Sequence, residues 1–123
     1  MTEPCDLSAV EARRLIGLKK LSPVELLESC LRRISEVNPT LNAIVAMDEK
    51  GAREAAKAAE QAVMRGDDLD LLHGLPLGIK DLQATGGLRT TWGSLIYKDH
   101  VPERDEDTVA NLRDKGAIIL AKT

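Results

Sequence analysis

The chain contains no Phe, one Trp (Trp92) and one Tyr (Tyr97) among its 123 residues. A core without large aromatic rings has to be assembled from Leu, Ile, Val and Ala, which take less area per residue out of water. A domain of this length hides roughly two-thirds of the surface of its unfolded chain, so a folded segment of modest stability is expected. Cys5 and Cys30 stand without a Cys-x-x-Cys pair or a histidine cluster. That spacing points to free thiols in a reducing compartment rather than a disulfide or a metal framework. No stretch reaches the about eighteen apolar residues of a membrane span. The start, Met1-Thr2-Glu3-Pro4, lacks the basic-then-apolar pattern of a secretory signal. A cytoplasmic protein without membrane association is therefore expected. Lys and Arg number 17 against 20 Asp and Glu, a formal net charge of −3. Arg13-Arg14, Lys19-Lys20 and Arg32-Arg33 are isolated pairs, so no electrostatic footprint for nucleic acid is evident.

Helix starts are the clearest local signals. Ser8-Ala9-Val10-Glu11 is a capping-box pattern and predicts a short helix to about Leu18. Leu21-Ser22-Pro23-Val24-Glu25-Leu26 is stronger: Ser at the N-cap, Pro at the first helical position, Glu three residues after the cap, and a Leu21–Leu26 staple. Val24, Leu27, Leu31 and Ile34 then recur at helical spacing with Cys30 beside them. Asn38-Pro39 is expected to end that helix, since Pro disfavours helical backbone in the residue before it. Leu41 to Met47 reads as a strand, and Asp48 as the cap of an Ala-rich helix from Ala52 to Met64. Its predicted narrow face is Ala55, Ala58, Ala59, Ala62 and Val63, packed closely against a sheet, with Gly66 closing it.

Leu75-Pro76-Leu77-Gly78-Ile79-Lys80 reads as a strand with Leu75, Leu77 and Ile79 on one face and Gly78 and Lys80 on the other. Residues 83–104 look irregular, with Gly86-Gly87, Gly93-Ser94 and Pro102 as breakers. Asp105 or Asp107 caps a further helix through Val109 and Leu112, stopped by Gly116, and Ala117 to Ala121 is a fully apolar strand. Strand, helix, apolar strand is a βαβ unit, which implies parallel neighbours covered on both faces.

Lys80 is the residue to single out for chemistry. It stands where a buried strand emerges at its C-terminal end, the edge at which open parallel sheets bind ligands. An ammonium in apolar surroundings has its charged form disfavoured and can then accept a proton. The competing reading is an ion pair with Asp81 or another carboxylate at the strand end. A phosphate loop is excluded: Gly74 and Gly78 are four apart, and Asp81 stands where a hydroxyl residue is required. Thr90-Thr91-Trp92-Gly93-Ser94 offers hydroxyls without an adjacent base, so a turn whose side chains satisfy backbone groups is expected there. His73 and His100 lack metal spacing, and His73 reads as a packing or loop-capping residue. The acidic run Glu103 to Asp107 reads as charge favourable to a helix N-terminus.

Several of these segments, taken in order, resemble the start of the amidase-signature enzymes. They are Ser22-Pro23-Val24-Glu25-Leu26, Asn38-Pro39-Thr40-Leu41-Asn42-Ala43, and Leu72-His73-Gly74-Leu75-Pro76-Leu77-Gly78-Ile79-Lys80-Asp81. Thr90 to Ser94, Asp107-Thr108-Val109 to Leu112, and Gly116 to Thr123 continue the series. The resemblance implies an α/β fold in which a helical region, 1–40, precedes the start of the amidase core, 41–123, with a mixed, largely parallel sheet and covering helices. It implies a hydrolase of carbon–nitrogen bonds in small-molecule amides, acting through a Ser–cis-Ser–Lys triad without a cofactor or metal. Lys80, in its Gly-Ile-Lys-Asp setting, matches the catalytic lysine of that triad. Both serines belong to a Gly/Ser-rich stretch of the family for which these 123 residues contain no counterpart, and Ser94 matches a position outside the triad. The expectation is therefore a segment of a longer enzyme, inactive alone, that associates with the remainder of the enzyme or with a second copy. The amidase subunit of a tRNA-dependent amidotransferase and a non-catalytic interaction module are the alternatives.

Overall fold

A computed structural model of the chain describes residues 2–123. Four helices, α1 (Ala9–Gly17), α2 (Pro23–Leu41), α3 (Glu49–Arg65) and α4 (Asp107–Asp114), surround strands β1 (Ala46–Met47), β2 (Pro76–Ile79) and β3 (Ile118–Lys122). The strand order is β1-β3-β2. β2 runs parallel to β3 and β1 antiparallel to it, so the expected βαβ unit is formed by β2, α4 and β3.

Three caps fall where the sequence places them. Ser8 accepts from the Glu11 amide, Ser22 and Glu25 form a complete capping box, and Asp48 accepts from the Gly51 amide. The end of α2 is a correction: the helix runs through Pro39 to Leu41. Pro39 lies in the last turn, where losing one amide donor is cheap. Asn38 Oδ1 there accepts from the amides of Ala43 (3.0 Å) and Ile44 (2.9 Å), while its side-chain amide donates to the Ile44 carbonyl. The strand expected over Leu41 to Met47 shrinks to Ala46–Met47 for the same reason.

The buried face of α3 is Ala52, Ala56, Ala59 and Val63, with Ala55 and Ala58 exposed. The expected stripe was rotated by about one residue, because Ala alone does not mark which side of a helix faces inward. The small residues do permit close approach: Ala52 and Ala56 pack with Leu27 and Leu31 of α2 and with Ile118, Leu120 and Ala121 of β3. On the opposite sheet face Ile79, Leu88, Val109, Ala117 and Ile119 form a second cluster. Leu75 joins neither, but packs with Ala12, Ile16, Leu21, Leu26 and Val63. Leu75, Leu77 and Ile79 are thus divided between two clusters instead of sharing one. In α4 neither Asp105 nor Asp107 is the cap; Glu106 holds that position without a side-chain bond, and Asp107 opens the first turn.

The register between β2 and β3 slips once. Pro76 and Leu77 face Ile118 and Ile119, but Gly78 and Ile79 face Ala121 and Lys122, leaving Leu120 as an extra residue. Such a bulge reverses the side on which every later residue emerges. Leu120 and Ala121 accordingly both pack on the α2–α3 side. Lys122 emerges on the face of its partners Ala46 and Ile79, both of which pack in the α4 cluster.

Candidate functional site at the C-terminal edge of the sheet

Lys80 directly follows β2 and is exposed. Among the described residues its side chain forms no ion pair. The apolar surroundings anticipated for its ammonium are therefore not supplied by these residues. The competing ion pair with Asp81 is not made either, because Asp81 is committed elsewhere. Its Oδ1 accepts from the Thr91 amide at 3.0 Å and its Oδ2 from the Thr91 hydroxyl. The backbone of Asp81 is held as well, its amide donating to the Thr123 carbonyl (2.9 Å) and its carbonyl accepting from the Trp92 amide (3.0 Å). The chain leaving Lys80 is thus closed into a loop from Asp81 to Trp92, anchored on the end of β3.

Apart from the Thr91 hydroxyl, which donates to Asp81, the hydroxyls here serve the backbone, as expected. Ser94 Oγ accepts from the Ile96 amide (3.2 Å) and opens a 3-10 turn at Leu95–Tyr97. Thr90 Oγ1 donates to the Leu88 carbonyl (3.1 Å) and Thr85 Oγ1 to the Gln83 carbonyl (3.1 Å). None of these hydroxyls sits beside a free base, so the geometry offers no nucleophile of its own. Trp92 stacks on His100, with centroids 5.3 Å apart and planes at 30°, and meets Tyr97 edge-on at 5.1 Å. A hollow of about 400 Å³ opens between Asp81, Arg89, Thr91, Ser94, Leu95 and Lys98; Lys80 does not line it. His73 packs as expected, Nε2 donating to the Ala59 carbonyl at 2.9 Å. The acidic run does more than favour a helix terminus. Asp105 accepts from the Gly86 amide (2.7 Å) and from Arg113 (2.7 Å), and Glu106 accepts from the Ala84 amide (3.1 Å). Cys5 and Cys30 are free thiols, and burial together with the neighbouring Cys5 pushes the Cys30 thiol up.

The residue that sequence reasoning missed is Lys122, wholly buried at 0% exposure. Its Nζ donates to Thr85 Oγ1 (2.7 Å), Thr90 Oγ1 (3.2 Å) and the Gln83 carbonyl. Burial lowers its pKa from the ordinary lysine value, opposed by the charges of Asp81, Glu106 and Asp105. Withdrawing an ammonium from water costs several kcal/mol, and three acceptors for its three donors offset much of that. The only hint in the sequence is a charge that ends a fully apolar strand; the bulge that turns it inward is invisible there. No group of His, Cys, Asp and Glu side chains suited to a metal ion occurs among the described residues. Among them no helix is long and apolar enough to cross a membrane.

Comparison with known proteins covers almost the whole chain. The family model described as Amidase matches residues 25–123. A glutamyl-tRNA(Gln) amidotransferase subunit of Roseiflexus castenholzii is 39% identical over 122 residues, 99% of this chain and 25% of that protein. A putative amidase AmiD of Mycobacterium tuberculosis is 38% identical over 116 residues, 94% of this chain and 24% of that protein. A crystal structure of a bacterial aryl acylamidase of the amidase-signature family superimposes with a TM-score of 0.87 at 30% identity, covering 95% of this chain and 25% of that one. The native peptide amidase of Stenotrophomonas maltophilia gives a TM-score of 0.88 at 27% identity, covering 96% and 24%. The chain spans about a quarter of the length of the curated relatives it matches.

Proposed function

This chain belongs to the amidase family, the amidase-signature enzymes, and on that premise we propose that Lys80 is the proton-accepting lysine of an amide hydrolase. The observation that carries the proposal is the position of Lys80. It leaves the C-terminal end of a parallel strand, unpaired among the described residues and accessible, while the adjacent carboxylate is engaged by Thr91. A lysine so presented is free to meet groups outside these 123 residues. In the proposed mechanism neutral Lys80 takes a proton relayed through a bridging serine from a nucleophilic serine. The serine oxygen then bonds to the amide carbonyl carbon. The carbon–nitrogen bond breaks, ammonia or an amine leaves with the proton, and water hydrolyses the acyl-enzyme. Both serines and the donors that stabilise the oxyanion are supplied by polypeptide other than these residues. The 123 residues alone are accordingly inactive, and no cofactor is required.

A second reading is favoured by the relatives, several of which are glutamyl-tRNA(Gln) amidotransferase subunits at 37–42% identity. In that reading the same chemistry releases ammonia for a partner protein. The intact mass of the native gene product, followed by its hydrolysis of primary amides, tests the proposal. A mass well above 13.4 kDa with activity lost in Lys80→Ala supports it. A product of these residues alone that hydrolyses amides refutes it, as does an active Lys80→Ala variant. Ammonia release that needs a second protein selects the amidotransferase reading.

A further inference from the structure

Resting on the assignment of Lys80, we propose that Lys122 is a positioning residue of the same site, its buried ammonium tying the loop that follows Lys80 to the end of β3. The assembly has three parts. The bulge at Leu120 sends the Lys122 side chain to the α4 face of the sheet. There Nζ finds three oxygens of one loop: the Gln83 carbonyl and the hydroxyls of Thr85 and Thr90. Both hydroxyl protons are already directed at carbonyls, those of Gln83 and Leu88. Each oxygen therefore presents a lone pair to the lysine, an arrangement that matches the three donors of an ammonium. The same β3 terminus holds the backbone on either side of Lys80, since the Thr123 amide donates to the Ile79 carbonyl and the Thr123 carbonyl accepts from the Asp81 amide, both at 2.9 Å. Backbone bonds thus fix where Lys80 leaves the sheet, and the Lys122 clasp fixes where the chain goes next.

A lysine that only filled space would be replaceable by an apolar side chain once its two hydroxyl acceptors were also made apolar, the third acceptor being the Gln83 backbone carbonyl. The clasp predicts otherwise. The test uses Lys122→Met, Lys122→Arg and the triple change Lys122→Met, Thr85→Val and Thr90→Val, read by site-resolved amide exchange and by hydrolysis of benzamide by the native gene product. In Lys122→Met the amides of Thr90, Thr91 and Trp92 exchange about tenfold faster relative to Leu27 in α2, the size of losing one hydrogen bond to a charged group. kcat falls by about tenfold or more with KM little changed. Lys122→Arg, which keeps the cation, recovers part of both. The triple variant recovers the unfolding midpoint but neither the loop protection nor kcat. Recovery of loop protection and kcat in the triple variant overturns the proposal, as does a uniform rise in exchange that spares no helix. If Lys80→Ala leaves hydrolysis intact, the Lys80 assignment fails by itself, and exchange in the loop still decides whether the clasp exists.

Discussion

Replacing Asp81 tests how the chain around Lys80 is held. Its carboxylate receives two hydrogen bonds from Thr91, one from the amide and one from the hydroxyl. Bonds to a charged group contribute about 1.5–3 kcal/mol each, and the half-buried setting of Asp81 argues for the lower end. Asp81→Ala removes both and should cost about 3 kcal/mol. Asp81→Asn keeps an acceptor for the Thr91 amide but puts a donor opposite its hydroxyl, which can accept instead; about 1 kcal/mol should be lost. At this chain length each kcal/mol lowers Tm by about 4 °C, so the two variants should melt roughly 12 °C and 4 °C below the parent. Thermal unfolding followed by circular dichroism reads both. Trp92 fluorescence reports the loop directly, because the Trp92 amide donates to the Asp81 carbonyl. Equal melting of parent, Asn and Ala variants would refute the role given to this carboxylate.

Three further outcomes are expected. Gly116→Ala places a Cβ 2.7 Å from the His73 Cα at a φ of 91°, whereas Gly66→Ala at a φ of 79° meets nothing within 4 Å. The first should lose roughly 3 kcal/mol or more and the second about 1 kcal/mol, as measured by urea titration. Cys30, whose thiol is pushed up by burial and by Cys5, should react slowly with iodoacetamide at neutral pH and accelerate on into the alkaline range. For Lys122 the folded pKa lies below its ordinary value of 10.5, so between those two values the unfolded chain binds more protons. Stability relative to Lys122→Met should therefore rise as pH climbs through that window and stay flat below it; urea midpoints at stepped alkaline pH check the sign.

What could be read from the sequence was mostly local chemistry. Ser8, Ser22 and Asp48 cap helices through contacts within three residues, and such contacts are written in the order of the chain. The apolar run before Lys122 was legible for the same reason, and the parallel pairing of β2 with β3 followed from the strand–helix–strand order of the chain. Failures began where distant partners decide the outcome. Pro39 stayed helical because Asn38 binds the chain beyond it. The inward face of α3 was set by α2 and β3, not by the distribution of its alanines. Lys80 could be placed at a strand end from its neighbours alone, but the engagement of Asp81 by Thr91 and the burial of Lys122 depend on groups 10 to 39 residues away. A single extra residue in β3 decided which face Lys122 took.

The most direct test of the account is ammonia release from a panel of primary amides by the native gene product, with Lys80 intact and as Lys80→Ala. The variant should keep the parent's unfolding midpoint, since Lys80 is exposed and its side chain forms no ion pair among the described residues. Its kcat/KM should fall by roughly 10⁴-fold, the scale on which loss of one member of a hydrolase triad is felt. A folded Lys80→Ala protein that releases ammonia at the parent's rate would contradict the assignment of Lys80.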